Sequence, residues 1–232
     1  MALSGPVMAD TLGPAPNQNP LLRIGVRLVG LLVLVLGLWF VHALREAVPP
    51  RPPEVGAAAT VLPVPKPLPE FQLVGDTGDV FSRDALTGRW SFLFFGYTHC
   101  PSICPLTLGA MRDLRHDLAT GEPPLDDAQW LFVSVDPARD SPDTLQRYVR
   151  HFDPAFRGAM GAPEQLERLT RAVGVFHERS PGGSEEQYDF DHSASILLID
   201  PQARLHAVFS PPLDPESAAE AFRAIRRLAN AG

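Results

Sequence analysis

Cys100 and Cys104 are the only thiols in the 232-residue chain, and both lie in Phe94-Phe95-Gly96-Tyr97-Thr98-His99-Cys100-Pro101-Ser102-Ile103-Cys104-Pro105. A pair at this spacing can chelate a soft metal, close a disulfide, or exchange with a partner's disulfide. All three uses run through the thiolate. An apolar run of strand length, Trp90 to Tyr97, precedes the pair, and Leu108, Met111, Leu114 and Leu118 follow it at helical spacing. The pattern predicts a helix that starts at Pro105, with Cys104 at or beside its N-cap and Cys100 about one turn earlier. A helix N-terminus favours thiolate over thiol.

A soft-metal site wants a third donor, and the seven histidines are the pool. His42 belongs to an apolar N-terminal segment. His116 follows Cys104 by twelve residues, roughly 18 Å along one helix at ~1.5 Å per residue, which is too far. His99 comes off an extended strand end and should point away from Cys100. His151 sits at a predicted helix end, and His177 and His206 are weaker candidates on strand faces. His192 is different, because Tyr188-Asp189-Phe190-Asp191-His192-Ser193-Ala194 is a polar loop leading into the apolar strand Ile196 to Ile199. Asp189 or Asp191 could hold its other ring N–H, as carboxylates behind a ligating histidine commonly do. The simpler local reading is a loop histidine bonded to a neighbouring aspartate. Zinc is the competing metal, but structural zinc usually takes four protein ligands and only three are offered here.

The elements around these residues alternate. A hairpin is predicted from Phe71 to Phe81 about Gly75-Asp76-Thr77-Gly78, then strand Trp90 to Tyr97, a helix to Leu118, strand Trp130 to Val135 and helix Pro142 to His151. A helix over Pro163 to Val173, strands at Val175 to His177, Ile196 to Ile199 and Leu205 to Phe209, and a last helix from Pro215 to Leu228 complete the pattern. This order describes an α/β, thioredoxin-like sandwich with an N-terminal hairpin, covering residues 70–232.

Upstream, no charged residue occurs from Leu28 to Val41, and Arg23, Arg27 and Arg45 flank that stretch. Residues 21–45 are read as a single transmembrane anchor, with a signal peptide cleaved near Val41-His42-Ala43 as the competing reading. Residues 1–20 are read as a disordered cytoplasmic tail. Residues 46–69, with eight prolines between Pro49 and Pro69, are read as an extended linker. Either reading of the anchor exports the C-terminal domain, so the expected location is the bacterial inner membrane with that domain in the periplasm. The net charge of −7 argues against nucleic-acid binding.

Three motifs together resemble the Sco/SenC family of membrane-anchored, thioredoxin-like copper chaperones for cytochrome c oxidase assembly. They are Phe95 to Pro105, then Val133-Ser134-Val135-Asp136-Pro137-Ala138-Arg139-Asp140-Ser141-Pro142, and finally Asp191-His192-Ser193, in matching order and separation across roughly Pro69 to Ala229. The resemblance implies Cys100, Cys104 and His192 as copper ligands, for Cu(I) and, with an added ligand, Cu(II). It also implies cytochrome c oxidase subunit II as recipient and another copper chaperone as donor. Ser102 stands where many members carry Asp, so this chain lacks that carboxylate between its cysteines. Asp136-Pro137 and Asp140 most simply form and cap a turn.

The leading expectation is a metallochaperone rather than an enzyme, delivering copper to the copper A site. The alternative is a thiol–disulfide oxidoreductase using Cys100 and Cys104. Dedicated thioredoxin-like oxidoreductases resemble one another in Cys-x-x-Cys and in a proline before the facing strand, whereas this chain has Cys-x-x-x-Cys and Ala194. A peroxidase with Cys100 as peroxidatic thiol is a third, weaker reading.

Overall fold

The computed structural model describes residues 20–47, 55–56, 58–180 and 188–231. Helix α1, Pro20–Ala47, forms one unit. Its stretch Arg23–His42 is long and apolar enough to cross a membrane, ~30 Å at ~1.5 Å per residue, and presents its apolar side chains outward. Residues 1–19 of the predicted tail lie outside the described residues, and Pro20, its last residue, opens α1.

The second unit follows as β1 (Ala59–Pro67), β2 (Gln72–Gly75), β3 (Val80–Ser82), β4 (Ser91–Gly96), α2 (Ile103–Thr120), β5 (Gln129–Ser134), α3 (Pro142–Phe152) and β6 (Phe156–Met160). It continues through α4 (Pro163–Val173), β7 (His177–Arg179), β8 (Phe190–His192), β9 (Ile196–Ile199), β10 (Arg204–Phe209) and α5 (Pro215–Ala231). Eight strands form one sheet in the order β1-β10-β9-β4-β5-β6-β2-β3, and β7 pairs β8 apart from it. At the centre, β4 runs parallel to β5 and antiparallel to β9.

Every residue of β4 is buried, which explains why Ser91-Phe92-Leu93-Phe94-Phe95-Gly96 is a nearly continuous apolar run. Across β4, β5 and β6 the register sets Phe92 beside Trp130 and Trp130 beside Phe156. Their rings stack, at 4.4 Å and 5.9 Å between centroids, while Phe222 of α5 meets Phe92 edge-on at 4.9 Å. This ladder ties the terminal helix to the strands that carry the cysteine loop. On β6, a Cβ at Gly158 would lie 3.0 Å from the Leu145 Cβ, so glycine there lets α3 sit close on the sheet.

Two expectations are corrected. The predicted linker runs through residue 69, yet Ala59–Pro67 is strand β1, paired with β10, with Val61 buried. Its prolines are tolerated because β1 is a sheet edge, where the missing N–H groups break few ladder bonds. Residues 48–54 and 57 of that linker lie outside the described residues. Helix α2 starts at Ile103 with Ser102 as N-cap, two residues before the predicted Pro105 start, so Cys104 lies inside the first turn. Pro105 fits there because the first N–H groups of a helix have no intrahelical partner.

Phe92→Ala should cost about 3–5 kcal/mol of stability, the usual range for emptying a buried aromatic site. Urea unfolding of the detergent-solubilised chain should show a lower midpoint with an unchanged slope.

Candidate metal centre

The cysteine loop connects the C-terminal end of β4 to α2, at the end of the sheet where parallel strands leave room for a ligand. Cys100 N–H donates to the Tyr97 carbonyl at 3.2 Å, and Cys104 N–H donates to the Cys100 sulfur at 3.4 Å. The sulfur of Cys100 therefore takes one of the unpaired donors at the start of α2. Both cysteines are buried and unbridged. A Cβ on Gly96 would lie 2.6 Å from Cys104 Sγ and 2.7 Å from Phe132 Cε2, so the strand end must be glycine for the sulfur to sit there.

His192, the last residue of β8, brings Nε2 to 3.4 Å from Cys104 Sγ. Its Nδ1 lies 3.2 Å from the Ser193 carbonyl oxygen. A carbonyl can only accept, so this contact puts the proton on Nδ1 and leaves the Nε2 lone pair facing the sulfur. The ligand atoms of Cys100, Cys104 and His192 all lie within 4.8 Å of one another. Burial holds the imidazole below the ordinary histidine range, with the nearby charge of His177 acting the same way. Burial pushes the Cys104 thiol well above its usual value. The helix-start argument for thiolate is thus outweighed at Cys104 by desolvation, and the metal-free state pairs a neutral thiol with a neutral imidazole.

Neither Asp189 nor Asp191 holds the His192 ring, contrary to the sequence expectation. Asp189 Oδ1 instead accepts from the Tyr97 hydroxyl at 3.1 Å, and Asp191 stands exposed on β8 opposite Glu178. A backbone carbonyl one residue away reaches Nδ1 more directly than side chains that leave the ribbon elsewhere. The strand end carrying His192 is held through Tyr97, whose hydroxyl also accepts the Phe190 N–H at 3.3 Å, while the rings of Phe94 and Tyr97 flank the imidazole, each at 6.0 Å. Tyr188 donates to Asp136 at 2.8 Å beneath the Arg139 guanidinium, 3.6 Å from the ring centroid.

Asp140 does more than the predicted turn capping. The turn is present, with Asp140 N–H donating to the Asp136 carbonyl at 3.0 Å. Its buried carboxylate also accepts from the Thr98 N–H at 3.2 Å and from the hydroxyls of Thr98 and Ser134. That carboxylate fastens the loop after β5 to the cysteine loop. Of the other histidines, His99 lies against Thr98 and Asp140, His151 meets Phe152, and His206 meets Trp90 and Asp200. None of these joins the ligand group. Two soft sulfurs and one imidazole in this cluster suit copper(I) chemistry.

Two outcomes follow for the metal-free protein. Cys104 titrates higher folded than unfolded, so its proton leaves stability untouched below about pH 9 and lowers it as pH rises past that value. The loss runs at about 1.4 kcal/mol per pH unit. Tyr97 and Tyr148, raised by burial too, extend the decline above about pH 10. In Cys104→Ser the part that begins near pH 9 should vanish from reducing denaturant titrations between pH 7 and 10.5. Gly96→Ala should cost about 1–3 kcal/mol by overpacking and raise the rate at which Cys104 is labelled by a thiol reagent.

The SCO1/SenC family model matches residues 64–227. A protein of Stutzerimonas stutzeri named for copper binding is 36% identical over 157 residues, 68% of this chain and 76% of that protein. Copper-bound ScoI of Arabidopsis thaliana superposes with a TM-score of 0.64 at 28% identity, covering 69% of this chain and 98% of that one. For copper-bound ScoI of Bradyrhizobium japonicum the TM-score is 0.59 at 32% identity, with the same coverage of 69% and 98%. The fold is the thioredoxin-like α/β sandwich that the order of elements predicts. Since the match spans most of the sheet and both segments that build the cysteine and histidine cluster, the chain belongs to the SCO1/SenC family.

Proposed function

We propose that this chain is a membrane-anchored metallochaperone that binds copper through Cys100, Cys104 and His192 and passes it to the copper A centre of cytochrome c oxidase subunit II. The observation that carries the reading is the convergence of those three ligand atoms within 4.8 Å from the start of α2 and the end of β8, 88 residues apart in sequence. In this reading α1 anchors the chain in a bacterial inner membrane, the domain works in the periplasm, and another copper chaperone supplies the metal.

The residues divide the work. Neutral His192 offers Nε2 without first losing a proton. Cys104 must release its proton when the metal arrives, so capture exchanges a buried S–H for a sulfur–metal bond and frees a proton to solvent. Three protein donors leave one side of a copper ion for a ligand of the recipient, which lets the ion move without ever being free. Exposed Leu106, on the first turns of α2, gives the same end of the domain an apolar contact surface.

A thiol–disulfide oxidoreductase remains the second reading, favoured by the adjacency of two unbridged thiols. Burial of both sulfurs and the raised Cys104 thiol weigh against fast exchange.

Copper binding to the reduced, detergent-solubilised chain tests this, alongside Cys100→Ser, Cys104→Ser and His192→Ala. One copper per chain is expected, with each variant weakened beyond the ~10–100-fold cost of losing an outer partner of a ligand. Mixing two equivalents of the Cu(I)-loaded chain with a copper-free, reduced soluble domain of subunit II, followed by one-electron oxidation with ferricyanide, should then build the mixed-valence copper A absorption and EPR signals. No tight copper, with ready reduction of a disulfide in that domain, would instead establish the oxidoreductase.

A further inference from the structure

Strands β7 and β8 form a two-stranded ribbon outside the main sheet, and their register sets His177 directly opposite His192, with Arg179 opposite Phe190. Directly opposed residues of an antiparallel pair share a face, with Cβ atoms about 4.5–5.5 Å apart. A second imidazole therefore stands beside the one whose Nε2 meets Cys104. It is not in the compact ligand group. Instead His177 lines an open, mainly apolar cleft of about 550 Å³ with Val135, Leu166, Tyr188 and Phe190. It is half-buried, and among the described residues neither of its ring nitrogens has a hydrogen-bond partner.

We propose that His177 is a fourth copper ligand that this chain uses for Cu(II) and not for Cu(I). The inference rests on the copper reading above. Two sulfurs and one imidazole complete a low-coordinate Cu(I) site, whereas Cu(II) takes a tetragonal set of four and needs one more donor. His177 is the imidazole without a hydrogen-bond partner on the ribbon face that already carries His192, and its open side toward the cleft leaves its ring unconfined by packing. His99, the other histidine near the cysteines, is engaged with Thr98 and Asp140. The ribbon is joined at one end by Phe176 and Ser193, which exchange N–H donations at 3.1 and 3.0 Å, so His177 can turn without opening the main sheet.

The full chain in detergent, loaded with Cu(II), tests this through the number of imidazole nitrogens seen by pulsed EPR on histidine-¹⁵N-labelled protein. Wild type should show two, and His177→Ala and His177→Gln one. Both variants should lose about tenfold or more in Cu(II) affinity while Cu(I) affinity moves by less than about twofold. One imidazole nitrogen in the wild type overturns the proposal whether or not the variants fold. So does an equal loss of Cu(I) and Cu(II) affinity, which would mean that His177 only supports His192. A wild type that binds no copper overturns this proposal together with the chaperone reading, whereas wild-type Cu(II) bound by one imidazole overturns this proposal alone.

Discussion

Parallel neighbours β4 and β5 send their following loops out at the same end of the sheet, and the two loops would drift apart unless something charged and buried held them. Asp140 supplies that hold. Its carboxylate gathers the Thr98 backbone N–H and the hydroxyls of Thr98 and Ser134, so the residue two before Cys100 is fixed by the loop after β5. Hydrogen bonds to an ionised acceptor are the strong ones, and removing the acceptor would strand several donors in a dry place. The position of Cys100 relative to Cys104, and through Tyr97 the position of β8, follows from this clamp.

With the loop fixed, burial sets the chemistry. Gly96 admits the Cys104 sulfur against the strand end, and the price of that closeness is desolvation. A thiolate there would lack water, so the proton stays until a cation replaces it. His192 is pushed the same way, toward neutrality, by the same dry surroundings. Cys104 and His192, neutral in the metal-free state, need no counter-charge there, and the cluster offers two sulfurs and an imidazole when a metal arrives.

Much of this is legible in the sequence because the strongest signals are local. The continuous apolar run of β4, the helical spacing after Cys104 and the prolines opening α3 and α4 each mark an element directly. Strand β6 is hidden because Phe156-Arg157-Gly158-Ala159-Met160 breaks its apolar pattern with a glycine that serves packing against α3. Strand β8 reads as a loop, since three residues with a central Asp carry no alternation that a sequence window can detect. Edge strand β1 is hidden for the opposite reason: its prolines look like a tether until β10 pairs with it. At the site, the residue types were readable, but the approach of His192 to Cys104 and the partners of Asp140 depend on segments brought together from distant positions, which no local pattern records.

The three side chains of the proposed metal site are therefore carried by two kinds of support. Cys100 and Cys104 stand at the junction of a wholly buried strand and a helix packed on the core, where movement would disturb the aromatic ladder. His192 stands on a short ribbon whose register is set by three residue pairs and whose link to the core runs largely through Tyr97, Tyr188 and their acceptors. Rigid sulfurs and a more loosely mounted imidazole make an asymmetric grip. In the proposed chaperone reading the sulfurs would fix where the metal rests, and the histidine would be the donor that yields first as a competing ligand approaches. A site built only on the core would have no such side from which to release an ion.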